Sequence, residues 1–295
     1  MEFICNDCPR RCGALRGEDT PGGFCLSPAL PRVARAAPHY GEEPCISGTR
    51  GSGAVFFTGC NLRCVFCQNR EISRGRGGKT LSVDELRDLF LRLRDQGVHN
   101  INLVTGCHFV RPIAAALEGL ELGIPVVWNS SGYESAETLR RLEGLVQIYM
   151  PDMKYARPEL AKRYSLAEDY PSVASEAIRE MYRQTGPFVM DEDGLLRSGV
   201  LIRHLILPSE DLNAMDVIDF VAEEFPRGSV LFSLMSQYTP MPRLERFPAL
   251  LRRVDAELNT RLCAYMQRRG VETGYWQEPE AAGEEQIPAF DGTGI

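Results

Sequence analysis

Cys60, Cys64 and Cys67 fall within eight residues, spaced Cys-x3-Cys-x2-Cys, directly after the apolar run Ala54-Val55-Phe56-Phe57. A cubane iron–sulfur cluster takes one thiolate for each iron it anchors. Three local thiolates would therefore hold three irons and leave the fourth open. An open iron can chelate a substrate or cofactor, whereas a fully ligated cluster only passes electrons. The alternative at this spacing is three buried or zinc-bound thiols. A second set, Cys5, Cys8, Cys12 and Cys25, lies in a segment with little apolar periodicity. Four thiols in so small a segment fit a metal that staples it. Zinc and a fully ligated iron–sulfur cluster are both open there: the cluster would relay electrons, and zinc would only shape the module. Cys45 reads as a buried thiol rather than a fourth ligand.

The elements that must position these residues follow from periodicity. Residues 1–45 read as a Cys-rich, loop-rich module. From residue 53 a strand–helix alternation begins. Strands are expected at 53–58, 100–105, 124–129, 145–150, 199–207 and 229–235. Helices are expected at 110–122, 135–142, 158–163, 171–185 and 214–224, with a long amphipathic one at 247–269. Ser82 with Glu85 three residues on is a capping box that opens a further helix, with Leu86, Leu89, Phe90 and Leu93 at helical spacing up to Gly97. Six strands alternating with helices imply parallel βα units, closing as an incomplete (β/α)6 TIM-like barrel over residues 46–270. Chemistry in such barrels sits at the C-terminal ends of the strands. The tail, 271–295, is turn-rich and acidic, and is expected to pack across the barrel or its mouth.

Several polar residues stand at those strand ends. Asp152 and Lys154 are two residues apart, and strand alternation puts them on one face. Arg203 and His204 interrupt an apolar strand, so only one of them faces the lumen; Arg203 is expected inward and His204 buried outward. Gln237 ends the sixth strand at the mouth. Cys107 reads as a core thiol, and His108 as either a proton donor or a surface residue. Gly78-Lys79-Thr80 looks like the end of a phosphate-binding loop but lacks its earlier glycine. Asp191-Glu192-Asp193-Gly194 lacks the later ligands of a calcium loop and reads as a hairpin turn.

The cysteine motif resembles that of the radical S-adenosylmethionine (SAM) enzymes. The segments 42–53, 59–73, 129–133 and 152–155 together resemble a subgroup of uncharacterised iron–sulfur homologues of the pyruvate formate-lyase activating enzymes, over nearly the whole chain. The resemblance implies that Cys60, Cys64 and Cys67 bind a [4Fe–4S] cluster whose open iron holds the amino and carboxylate groups of SAM. One electron then cleaves SAM to methionine and a 5′-deoxyadenosyl radical, which abstracts hydrogen from a substrate. It implies further that Phe66 packs near the adenine and that backbone groups at Gly106 hold the SAM amino group. Gly106 is all that remains here of the family's Gly-Gly-Glu segment. Lys154 would help bind SAM, and an inward Arg203 would grip its ribose or carboxylate. Gln237 would contact SAM or substrate. Asn129, Ser130, Asp152 and the Met150 carbonyl would surround a monovalent cation, although Asn129 stands where the family has an acidic residue.

Composition narrows the setting. The 295 residues carry a formal charge of −7 and are 44% hydrophobic, which argues against bulk binding to nucleic acid. No apolar run approaches the ~18 residues of a membrane span. The N-terminus does not read as a signal peptide, and ten cysteines then point to a reducing, cytoplasmic setting. The expected partners are a reductant such as flavodoxin or ferredoxin and an unidentified protein or small-molecule substrate. One version installs a glycyl radical on a partner protein; a second modifies a small molecule or peptide. A third class is an iron–sulfur electron-transfer or sensor protein without SAM turnover, and the polar strand ends favour an enzyme over it.

Overall fold

The computed structural model describes residues 2–277 and 288–295. In chain order the strands are β1 (Phe3–Cys5), β2 (Ala14–Arg16), β3 (Arg32–His39), β4 (Ser52–Phe57), β5 (Lys79–Thr80), β6 (Ile101–Val104), β7 (Val126–Ser130), β8 (Ile148–Pro151), β9 (Val189–Met190), β10 (Leu196–Leu205), β11 (Leu231–Met235) and β12 (Gly274–Trp276). The helices are α1 (Pro44–Ser47), α2 (Arg70–Ser73), α3 (Val83–Asp95), α4 (Val110–Leu117), α5 (Ala136–Leu139), α6 (Pro158–Ser165), α7 (Tyr170–Thr185), α8 (Asp211–Glu224) and α9 (Ala256–Arg268).

Strands β4, β6, β7, β8, β10 and β11 lie side by side in that order, all parallel. Every residue of β4, β6, β7 and β8 is buried, as expected of strands covered on both faces. Helices follow each strand, and among the described residues no pairing joins the two ends of the sheet. The fold is thus the expected incomplete (β/α)6 barrel. β12 adds a parallel strand beside β11, and β3 and β5 extend the other edge antiparallel. The capping box forms: Ser82 Oγ accepts from Glu85 N at 3.1 Å, and Glu85 Oε2 accepts from Ser82 N at 2.8 Å. The Asp191–Gly194 hairpin also forms, joining β9 to β10 antiparallel.

Three expectations are corrected. First, β3 lies within residues 1–45, and belongs to the central sheet. A register shift between Val33 and Arg35 breaks its two-residue alternation, which is what a β-bulge does. Second, the helix expected at 110–122 ends at Leu117, and Leu120 and Leu122 reach the core from a loop. Third, no helix spans 247–269. A 3-10 turn at Pro248–Leu251 is followed by extended backbone at Arg252, and α9 starts afresh after Asp255, whose carboxylate accepts from Leu258 N at 2.7 Å. An Asp that caps a helix start in this way competes with continuing an earlier helix.

Of the tail, residues 278–287 lie outside the described residues. Beyond them the backbone bonds to β3, Gly292 N to Ala34 O at 3.2 Å and Ala36 N to Thr293 O at 3.0 Å, while Phe290 packs edge-on against Phe56 at 5.5 Å.

Candidate functional site

The β4 strand runs into Gly59, where the chain turns at φ +94°. A Cβ there would lie 2.6 Å from the Cys25 carbonyl oxygen and 2.1 Å from Ser27 Oγ. Only glycine lets the strand exit against the N-terminal segment. The loop that follows carries Cys60 and Cys64, both buried, and Cys67, half-buried. The amides of Leu62 and Arg63 donate to Cys60 Sγ, each at 3.4 Å. Burial pushes the Cys67 thiol up to about 12, helped by the neighbouring Cys64 and Cys60. Burial raises Cys60 in the same way. Such thiols stay protonated unless a metal takes the proton's place.

A cavity of about 250 Å³ opens at the C-terminal ends of the parallel strands. All three of these cysteines line it, together with Phe66, Asn129, Ser130, Asp152, Lys154, Arg203 and Gln237. Gly106 does not. It packs against Trp128, where a Cβ would lie 3.0 Å from the indole, and Thr105, the residue before it, faces the cavity instead. The Phe66 ring stands edge-on to Tyr155, Tyr164 and Tyr238 at 6.3–6.4 Å, which fixes its orientation at the cavity wall.

The floor is a charged network. Lys154 Nζ meets Asp152 Oδ2 at 2.5 Å. Arg203 donates to Asp152 Oδ1 at 3.0 Å, to Glu42 Oε2 at 2.9 Å and to Asn129 Oδ1 at 2.7 Å. The Asn129 amide returns to Glu42 Oε1 at 3.0 Å. Burial would raise the Asp152 carboxyl, but Lys154 and Arg203 outweigh it and hold the group below the usual carboxylate range. Burial likewise pulls Lys154 down, and Asp152 outweighs it and holds the ammonium protonated. Ser130 Oγ donates to Glu134 Oε2 at 2.7 Å, and Trp128 Nε1 to Glu134 Oε1 at 2.8 Å; burial pushes the Glu134 carboxyl up to about 7. The side-chain oxygens of Asn129, Ser130 and Asp152, expected to surround a monovalent cation, are therefore already bonded within the protein. Neither Glu42 nor Glu134 was singled out from the sequence. Their partners are side chains far along the chain or across a turn, which no local sequence pattern marks.

His204 is buried, with Nδ1 against Met153 O at 2.7 Å, and burial pushes it down to about 4. His108 is neither a surface group nor in the cavity: it is buried with Nε2 2.9 Å from Thr58 O, and burial pushes it down to about 3. Cys5, Cys8, Cys12 and Cys25 line a second, separate cavity with Arg16, Phe24 and Asn61. Cys45 lies elsewhere, in the apolar cluster beside Tyr275. Among the described residues no three His, Cys, Asp or Glu side chains close on a point as a single metal ion requires.

The radical SAM superfamily profile matches residues 54–196. Uncharacterized protein MJ0674 of Methanocaldococcus jannaschii is 30% identical over 263 residues, covering 86% of this chain and 71% of that protein. This chain belongs to the radical SAM superfamily. Streptococcus suis SuiB bound to precursor peptide SuiA shares the fold at TM-score 0.50 and 14% identity, over 74% of this chain and 46% of SuiB. The chain thus spans about half of SuiB, at 46%. A domain of pyruvate-formate lyase-activating enzyme from Bacteroides vulgatus aligns at TM-score 0.38 and 13% identity, over 66% of this chain and 91% of that domain. A radical SAM protein is an enzyme of radical chemistry, and its fold implies a [4Fe–4S] cluster and SAM. The residues present fit both. Three thiols share one wall, and two polar cavity-lining side chains, Ser131 and Gln237, have a buried oxygen without a partner. Among the described residues no helix is long and apolar enough to cross a membrane.

Proposed function

We propose that this chain cleaves SAM reductively at a cluster held by Cys60, Cys64 and Cys67 and uses the product to abstract hydrogen from a peptide or protein segment. The carrying observation is one cavity, at the strand ends, walled by the three thiols and floored by the Lys154–Asp152–Arg203 network. When bound, the cluster and SAM supply the radical; the protein's residues bind and orient. Lys154 offers its ammonium to the SAM carboxylate. Phe66 lies against the adenine, and Gln237 and Ser131 offer their unpartnered oxygens to SAM or substrate. Gly106 acts only by letting Trp128 close in. Arg203, whose three donor nitrogens are engaged by Asp152, Glu42 and Asn129, supplies the positive charge for which a monovalent cation would otherwise be needed.

The cavity volume supports the substrate class. Small-molecule sites usually enclose roughly 300–1,000 Å³, and about 250 Å³ leaves little room once SAM is in place. A substrate that reaches in from the open side, as a peptide segment does, fits better than an enclosed metabolite. A glycyl-radical activase is one such case, and a small-molecule substrate is the second reading. The electron comes from a carrier such as flavodoxin or ferredoxin. Cys5, Cys8, Cys12 and Cys25 hold a second metal. None of the ten cysteines is in a disulfide, which supports a reducing cytoplasmic setting.

The test is release of 5′-deoxyadenosine by anaerobically reconstituted protein under reduction. Release that depends on all three cysteines, and rises with peptide or protein candidates, supports the reading. Retention of cleavage in a Cys60→Ala, Cys64→Ala, Cys67→Ala chain sinks it.

A further inference from the structure

Arg16 is among the largest fully buried side chains, at 1% exposure. Its nitrogens meet Ser27 O at 3.1 Å, Pro28 O at 3.0 Å, His108 O at 2.7 Å and Cys5 Sγ at 3.4 Å. Among the described residues none of these partners is a carboxylate. The nearby carboxylate, Asp7, is taken by a two-point bond from Arg111 at 2.6 and 2.7 Å. A buried guanidinium that faces carbonyl dipoles, a thiol and the rings of Phe3 and Phe109, 5.6 and 5.4 Å away, still lacks an anionic counter-charge, and buried charges are paired or bound to metal centres. Arg16 shares a cavity with Cys5, Cys8, Cys12 and Cys25, where a negative charge could sit beside it.

We propose that these four cysteines hold a second iron–sulfur cluster, whose negative charge is balanced by Arg16. This rests on the reading that the N-terminal cysteines bind a metal, and goes further by naming the occupant. Four thiolates on a four-iron cluster give a net anion; neutral thiols give none. A zinc ion on four thiolates would carry a net negative charge too; iron and sulfide content separates the two occupants. The neighbourhood also suits a redox centre. Arg10 Nε donates to Asn61 O at 2.9 Å, and Arg63 donates to Phe24 O at 2.9 Å. The segment that carries the four cysteines therefore leans directly on the loop that carries the other three.

The test uses the full chain with Cys60, Cys64 and Cys67 changed to Ala, purified anaerobically. About four irons and four sulfides per chain, with a paramagnetic signal on one-electron reduction, support the proposal. Zinc without sulfide overturns the cluster while leaving a metal at the site. No metal in a folded chain overturns both. If that variant fails to fold, the comparison is of wild type with the Cys5→Ser, Cys8→Ser, Cys12→Ser, Cys25→Ser chain: the wild type should hold twice the iron, and equal iron overturns the proposal. Arg16→Gln should shift the cluster's midpoint potential negative, because a lost buried cation disfavours the reduced, more negative state. Arg16→Lys should restore most of that shift. A potential unmoved by Arg16→Gln removes Arg16 from the role.

Discussion

Lys154 lines the same cavity as Cys60, Cys64 and Cys67 and keeps its charge chiefly through Asp152. Lys154→Ala should weaken SAM binding by about one to two decades, the worth of a charge-assisted hydrogen bond of roughly 1.5–3 kcal/mol. Iron content should stay at the wild-type level, and equilibrium binding measures the change. Arg203 is the counterpart below it. If its guanidinium stands in for a monovalent cation, SAM affinity should not change when sodium, potassium or a bulky ammonium is the only cation present; a steep potassium requirement would refute this. The sequence showed Asp152 and Lys154 sharing a face because alternation in a strand is local. It also showed Arg203 inward and His204 buried. It could not show that Arg203 joins Glu42, 161 positions away, because nothing local in either segment encodes that pairing. The packing of Gly106 was hidden for a related reason: a side chain there would meet Ile113 and the indole of Trp128, which sequence spacing does not place.

The parallel strands were legible because buried parallel strands are apolar throughout and flanked by turn residues. β3 was not. Its bulge breaks the alternation, and it is embedded in a segment dominated by cysteine, proline and glycine. The helix at the C-terminal end was overextended because an apolar stripe continues across the break at Arg252, although Leu251 is 52% exposed. Asp255 is the residue that sets the true start. Asp255→Ala should cost about 1 kcal/mol of unfolding free energy, read from urea denaturation, while Asp255→Ser should recover most of it. No loss in the Ala variant would mean that α9 is placed by packing alone.

Across the whole molecule, two buried neutral histidines make folding sensitive to acid. His108 and His204 are pushed from the ordinary 6.5 to about 3 and about 4. The unfolded chain takes up their protons first, so the stability they permit is intact above pH 6.5 and falls as the pH drops toward those lowered values. The slope approaches about 1.4 kcal/mol per pH unit for each histidine. Glu134, raised to about 7, acts in the opposite sense: its contribution is fully present at low pH and is lost as the pH rises toward 7. Comparison with a His204→Gln chain cancels the Glu134 effect. The stability difference between the two proteins should drift steadily in the variant's favour from pH 6.5 down to 4. A constant difference over that range would show that His204 is not held neutral.

The Asp152–Lys154 pair has a calorimetric consequence. With the carboxyl held low and the ammonium held high, both groups are already ionised at neutral pH. SAM's carboxylate then meets a lysine that has no proton to gain and an aspartate that has none to release. Association at this point of the floor should exchange no proton with the solvent. Titrations in phosphate and in Tris, whose ionisation enthalpies differ widely, should differ in heat by the same amount for the wild type and for Lys154→Met between pH 6.5 and 8, because any proton exchanged comes from SAM's own amino group or elsewhere and not from this pair. A buffer-dependent heat that disappears in Lys154→Met would place a proton transfer at this pair.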